Sequence, residues 1–135
     1  MMEDLKFIEE YLNRYKKSLF ETDVTQEIIK MKEMLLEVKA NGKKVMVAGN
    51  GGSAAMSSHA AVDFTKQGGI RTINFNESDL ITCFANDYGY ERWVSKAIEF
   101  YGDKGDLAIL ISSSGSSKNI LNAADVAKDL NINVI

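Results

Sequence analysis

The sequence predicts an α/β fold: a doubly wound parallel sheet flanked by helices, preceded by a helical hairpin. Three observations carry this reading. The first forty residues repeat apolar side chains at three- and four-residue steps. From Lys43 onward, apolar runs of strand length alternate with helical stretches. Two turns rich in glycine and serine stand at the carboxyl ends of two of those runs, where open parallel sheets bind ligands.

In chain order, Leu5, Ile8, Leu12, Tyr15 and Leu19 fall on one helical face. Thr22 or Asp23 can cap a second helix, striped by Val24, Ile28, Met31, Leu35 and Val38 and stopped by Asn41-Gly42. Residues 1–42 therefore read as an αα-hairpin whose apolar faces need cover, from the domain core or from another subunit. Val45–Ala48 is a buried strand running into Gly49-Asn50-Gly51-Gly52. A helix from Ser53 to about Lys66 ends at Gln67-Gly68-Gly69, and Ile70–Phe75 is the next strand. Asn76, Ser78 or Asp79 caps a helix with Leu80, Ile81 and Phe84, interrupted at Asn86-Asp87-Tyr88-Gly89. Another follows through Phe100, with Trp93, Ala97 and Phe100 on its apolar side. Leu107–Ile111 is the clearest strand, Ser112–Ser117 a turn, and Ile120–Leu130 a helix; Ile132–Ile135 begins one more strand.

Composition narrows the function. A net charge of −3 speaks against a nucleic-acid or anionic-membrane partner. No apolar run approaches the roughly 20 residues that span a bilayer, and the acidic, amphipathic Met1–Lys6 does not read as a secretory signal. The single cysteine, Cys83, is expected to be a buried helical thiol, in keeping with a reducing cytoplasm. With no proline in the chain, turns must rest on Gly, Asn, Asp and Ser. Lys16-Lys17 and Lys43-Lys44 read as solvated surface.

Gly49-Asn50-Gly51-Gly52-Ser53 joins a strand to a helix. Glycines admit a close ligand, and a helix start offers donor N–H groups to an anion. The alternative is a tight turn with no ligand. The spacing is neither a GxGxxG fingerprint nor a Walker loop, so no nucleotide cofactor is expected. Ser112-Ser113-Ser114-Gly115-Ser116-Ser117 sets five hydroxyls around one glycine, between a buried strand and a helix. Such hydroxyls donate to phosphate oxygens without adding charge; the alternative is a loop whose Ser116 or Ser117 only caps the helix. His59, the single histidine, lies four residues before Asp63 on one helix face. The pair could orient a base, give two ligands to a metal, or be an ordinary surface pair. Asp87 either binds a sugar hydroxyl or caps the next helix.

Taken together, Ala48-Gly49-Asn50-Gly51-Gly52-Ser53-Ala54-Ala55, His59, Asn86-Asp87-Tyr88-Gly89-Tyr90-Glu91, and Gly105-Asp106 leading to Ile111 and Ser112–Ser117 resemble, in order and spacing, the phosphoheptose isomerases of the sugar isomerase (SIS) family. The resemblance spans Val45 to about Asn122. It implies a doubly wound SIS domain over residues 43–135, incomplete at its C-terminus, with residues 1–42 as an oligomerisation hairpin in a homotetramer. It implies isomerisation of sedoheptulose 7-phosphate to D-glycero-D-manno-heptose 7-phosphate through an enediol, feeding heptose synthesis for lipopolysaccharide and similar surface polysaccharides. Ser112, Ser113, Ser114 and Ser117 would hold the phosphate. Asn50, Gly51, Gly52 and Ser53 would line the sugar, with Asp87 nearby. Asp63 stands where the family has a proton-transferring glutamate, and His59 and Asp63 where some members bind Zn2+. Two departures are visible. Asp63 is one methylene shorter than glutamate, and the chain has no second histidine, which the family carries on a later helix as a catalytic partner. A non-catalytic SIS regulator, or a protein similar to the related tetrameric factor that binds the replication initiator, is the alternative.

Overall fold

The computed structural model describes residues 2–135 and divides into two compact units, one through Lys30 and one from Met31 to Ile135. The first holds α1 (Met2–Lys16), a π-helical turn (Lys17–Glu21) and the start of α2 (Thr25–Ala40). Asp23 supplies the expected cap: its Oδ1 accepts from the Thr25 amide at 3.0 Å, and hydrogen bonding from the Thr25 side chain first, and from that amide second, holds the carboxyl below its ordinary pKa. The apolar stripe of α1 and the π-helical turn stays exposed, Leu5 and Leu12 of α1 at 62% and 58% and Leu19 of the turn at 59%.

The second unit begins inside α2 rather than after Gly42, because Met31, Met34, Leu35 and Val38 pack into the sheet's core. Its elements are β1 (Val45–Gly49), α3 (Gly52–Lys66), β2 (Thr72–Asn74), α4 (Ser78–Tyr88), α5 (Trp93–Tyr101), β3 (Leu107–Ile111), α6 (Lys118–Asp129) and β4 (Asn133–Val134). The strands form one parallel sheet in the order β2-β1-β3-β4. Side chains alternate along each strand, so β1 feeds two cores. Val45 and Val47 join Leu107, Ile109, Ile70 and Val38 on one face, with Phe64 of α3 against them. Met46 and Ala48 join Ala108, Phe75, Trp93, Ile98, Ile120 and Ala123 on the other, roofed by α4, α5 and α6. Each fully buried Val or Ile contributes roughly 1.5–3 kcal/mol.

Several sequence expectations need correction. The strand expected over Ile70–Phe75 keeps only Thr72–Asn74. The Ile70 amide closes the end of α3 by donating to Phe64 O at 2.9 Å, and the Asn76 amide is taken by Asn74 Oδ1 at 3.0 Å. Cys83 is exposed, not buried, because α4 turns Leu80, Ile81 and Phe84 inward instead. Phe100 is also exposed, although its ring meets Phe84 at 5.6 Å. Lys44 is not solvated surface. Its Nζ lies 2.5 Å from Oδ2 of Asp106, a residue 1% exposed, and 2.7 Å from Asp103. Asp106 also accepts from the Lys44 and Asp103 amides at 3.0 and 2.8 Å, so the loops entering β1 and β3 are clamped together.

Candidate functional site

The register Gly49↔Ile111 ends β1 and β3 side by side, so the glycine turn and the serine turn leave the sheet as neighbours. Since β2 lies on one side of β1 and β3 on the other, this is the point where the connections diverge, and a crevice opens there in sheets of this kind. A different concavity, of about 380 Å³, lies at the amino ends of the strands, lined by Glu37, Asn41, Lys43, Lys104 and Asn133. Among the described residues its two lysines and one glutamate share no hydrogen bond, and the polar network sits at the opposite end of the sheet.

Each glycine of the first turn has its own reason. A Cβ on Gly49 would lie 2.6 Å from Ser53 Cβ and 2.8 Å from the Ser53 carbonyl, so the close approach of strand and helix demands glycine. Gly51 has φ 54° and ψ −119°, which only glycine adopts at low cost. A Cβ on Gly51 or Gly52 would meet nothing within 4 Å, so both border open space. The helix-start donors are fewer than the sequence suggests: the Ser53 and Ala54 amides already donate to Asn50 O and Gly51 O at 2.9 and 3.0 Å.

The serine turn is where hydroxyls meet. Ser112 Oγ lies 3.4 Å from both Ser114 Oγ and Ser117 Oγ, and accepts from the Gly115 amide at 3.2 Å. Ser114 Oγ accepts from the Ser116 amide, also at 3.2 Å. Ser117 occupies the N-cap of α6 yet makes no side-chain capping bond, so its hydroxyl faces Ser112 and the helix start keeps its partial positive charge uncapped. Ser113 is exposed and stands outside this hydroxyl cluster. Three hydroxyls at hydrogen-bond spacing beside a helix N-terminus can surround an oxyanion.

Three residues to which the sequence assigned no role complete the arrangement. Asn119, in the first turn of α6 and 4% exposed, exchanges two hydrogen bonds with Asn50, at 3.0 and 2.8 Å. Tyr90 Oη donates to Asn50 Oδ1 at 3.2 Å. Glu91 carries the Tyr90 segment onto α6 through Lys118 at 3.0 Å and Asn122 at 2.8 Å. A polar residue one turn inside a helix, directly after a serine-rich turn, was the available signal for Asn119. Nothing local marks its partner. Asp87 hydrogen-bonds within α4, to Asn86 at 2.9 Å and Cys83 at 3.7 Å, and it does not cap α5, whose N-cap is Arg92.

His59 Nε2 lies 3.4 Å from Asp63 Oδ2, both exposed on α3. At 1.5 Å per residue, Asp63 stands about 15 Å along the helix axis from Ser53. Among the described residues no three His, Cys, Asp or Glu side chains come together as metal ligands. His59 and Asp63 by themselves fall short of the three protein ligands that a catalytic zinc takes.

The sequence profile of the SIS domain matches residues 7–135. The chain belongs to the SIS domain family. Among curated relatives, a phosphoheptose isomerase of Fusobacterium nucleatum subsp. nucleatum is 37% identical over 118 residues, covering 84% of this chain and 61% of that protein. One of Helicobacter pylori strain P12 is 38% identical over 127 residues, covering 89% and 65%. The solved phosphoheptose isomerase from Neisseria gonorrhoeae superimposes with a TM-score of 0.86 at 26% identity, over 99% of this chain and 74% of that one. That from Francisella tularensis gives 0.89 at 28%, over 96% and 71%. These similarities place the chain on the phosphoheptose isomerase branch of the family, and it spans 61% to 65% of the length of these two curated relatives.

Proposed function

We propose that this chain supplies the sugar-phosphate site of a phosphoheptose isomerase, converting sedoheptulose 7-phosphate to D-glycero-D-manno-heptose 7-phosphate for surface-polysaccharide synthesis. The observation that carries the reading is the cluster of Ser112, Ser114 and Ser117 hydroxyls at the uncapped start of α6, beside the glycine turn. Phosphate binding there, with Ser113 at the rim, supplies orientation to carbons that do not touch the phosphate. In this reading Asn50 and Ser53, which flank the two glycines, take the sugar, and Gly51 and Gly52, which border open space, leave it room. In a seven-carbon substrate with its phosphate on the last carbon, C1 and C2 lie at the far end. An extended seven-carbon chain is shorter than the roughly 15 Å of helix between Ser53 and Asp63, so the carboxylate that reaches C1 is Asp63 of a neighbouring copy of the chain.

In this scheme Asp63 removes the proton from C1 of the ketose and the C2 carbonyl becomes an enediolate oxygen. Asp63 then returns the proton to C2 while a hydroxyl proton passes from O1 to O2, leaving the aldehyde at C1. His59, 3.4 Å away, holds Asp63 in position. Both groups are exposed in the single chain, and proton abstraction from carbon is favoured away from water. We therefore place the reaction in a homo-oligomer, a tetramer, built on the exposed stripe of Leu5, Leu12 and Leu19. The exposed, unpaired Cys83 is in keeping with a reducing cytoplasm.

The test is incubation with sedoheptulose 7-phosphate, followed by NMR for an aldose proton and by calorimetry for binding. Turnover with binding is expected. Binding without turnover would make the chain a sugar-phosphate regulator, a reading favoured by aspartate at position 63 in place of the longer glutamate. Absence of both would remove the proposal.

A further inference from the structure

The glycine turn and the serine turn are joined, among the described residues, by one pair of side chains 69 positions apart, Asn50 and Asn119. A carboxamide carries two donor hydrogens and an oxygen with two lone pairs. Asn50 Nδ2 donates to Asn119 Oδ1, and Asn119 Nδ2 returns the bond to Asn50 Oδ1. Tyr90 Oη fills the second lone pair of that oxygen. Both lone pairs of Asn50 Oδ1 are thus taken and one amide hydrogen is used. Its other hydrogen has no protein acceptor among the described residues. Asn119 is buried, whereas Asn50 is only partly so and adjoins Gly51 and Gly52, which border open space.

We infer that Asn119 and Tyr90 are positioning residues that lock the Asn50 carboxamide so that it presents an N–H donor, and not a carbonyl acceptor, to the sugar of a bound sugar phosphate. The polarity matters because a carboxamide turned by half a rotation exchanges its nitrogen and oxygen. Left free, Asn50 would sample both faces, and a sugar carbonyl oxygen, which only accepts, would meet a repelling oxygen half the time. The lock removes that loss before the ligand arrives. The salt bridge and hydrogen bond from α6 to Glu91 keep Tyr90 within reach, so all three members are anchored to β1 or to α6. Glu91 is thereby a support one step further out.

The inference rests on the sugar-phosphate reading above, and one experiment separates the two. Titration calorimetry of the full chain uses sedoheptulose 7-phosphate and inorganic phosphate as probes. Asn119→Ala is expected to weaken the sugar phosphate roughly tenfold and Tyr90→Phe roughly threefold, the loss of about one neutral hydrogen bond. Inorganic phosphate, held by the serine turn, changes by less than about twofold. In an Asn50→Ala background neither substitution weakens the sugar phosphate further, because the group they position is gone. Tyr90 is 57% exposed and loses a single hydroxyl, so it keeps the test open should Asn119→Ala fail to fold. Unaltered affinity in both variants overturns the inference, as do losses that persist without Asn50. If the unaltered chain binds neither probe, the functional reading falls and this one with it; if it binds and both variants are silent, only the lock falls.

Discussion

Replacing Ser112 with alanine, alone and together with Ser114, tests the phosphate site at its hub. Ser112 Oγ is within 3.4 Å of two other hydroxyls, so an oxyanion seated among them takes a bond from each. A hydrogen bond to a charged group contributes about 1.5–3 kcal/mol. Losing Ser112 should therefore weaken sugar-phosphate binding roughly ten- to hundredfold. The double variant should lose about 3–6 kcal/mol if the bonds add, and less if Ser117 swings in, because neighbours in one network are not additive. Folding should barely respond. The bond that Ser112 Oγ accepts from the Gly115 amide is exposed, and water replaces it. Calorimetry measures the affinity and thermal denaturation checks the fold. A double variant that binds within about twofold of the unaltered chain, at an unaltered melting temperature, would refute the site.

Gly49→Ala should destabilise the domain by about 1–3 kcal/mol through overpacking against Ser53, with a melting temperature several degrees lower; an unshifted melting curve would contradict the close approach. Lys44→Ala leaves Asp106 buried beside two amides but without its cation, and should cost roughly 3 kcal/mol in denaturant unfolding at neutral pH. The same clamp sets a pH window. Burial works to lower the Lys44 pKa, but its bonds to Asp103 and Asp106 outweigh this and leave it above 10.5. Its stabilisation is therefore full below that value and lost as pH rises through the raised one. Asp103, held below 3.8 by the bond from Lys44, contributes above that value and loses its contribution as pH falls through the lowered one. Stability that is flat between pH 5 and 10 and falls on both sides is expected, with the alkaline fall absent in Lys44→Ala. Leu12→Glu, on the exposed stripe of α1, should shift light scattering from the oligomer to smaller species; a monomer before the substitution would count against the assembly.

What the amino-acid order determined by itself was local. Leu107–Ile111 is an apolar run of strand length with no competing helical period, and it is a strand with those ends. Gly49, Gly51 and the serine turn were legible because steric demand and hydrogen-bonding chemistry belong to the residue itself. The helix of Leu80, Ile81 and Phe84 was legible too, but not that it runs on through Asp87 to Tyr88, nor the role of that carboxylate, which depends on what faces it. What only the tertiary structure decided was which distant residues meet. The register Gly49↔Ile111 sets two turns side by side, and only then can Asn50 reach Asn119, 69 residues away, and Lys44 find Asp106, 62 residues away. Periodicity reports which face of an element is apolar. It carries no information about which polar groups the sheet will bring across from another strand, because that pairing is fixed by the packing of both cores against the sheet.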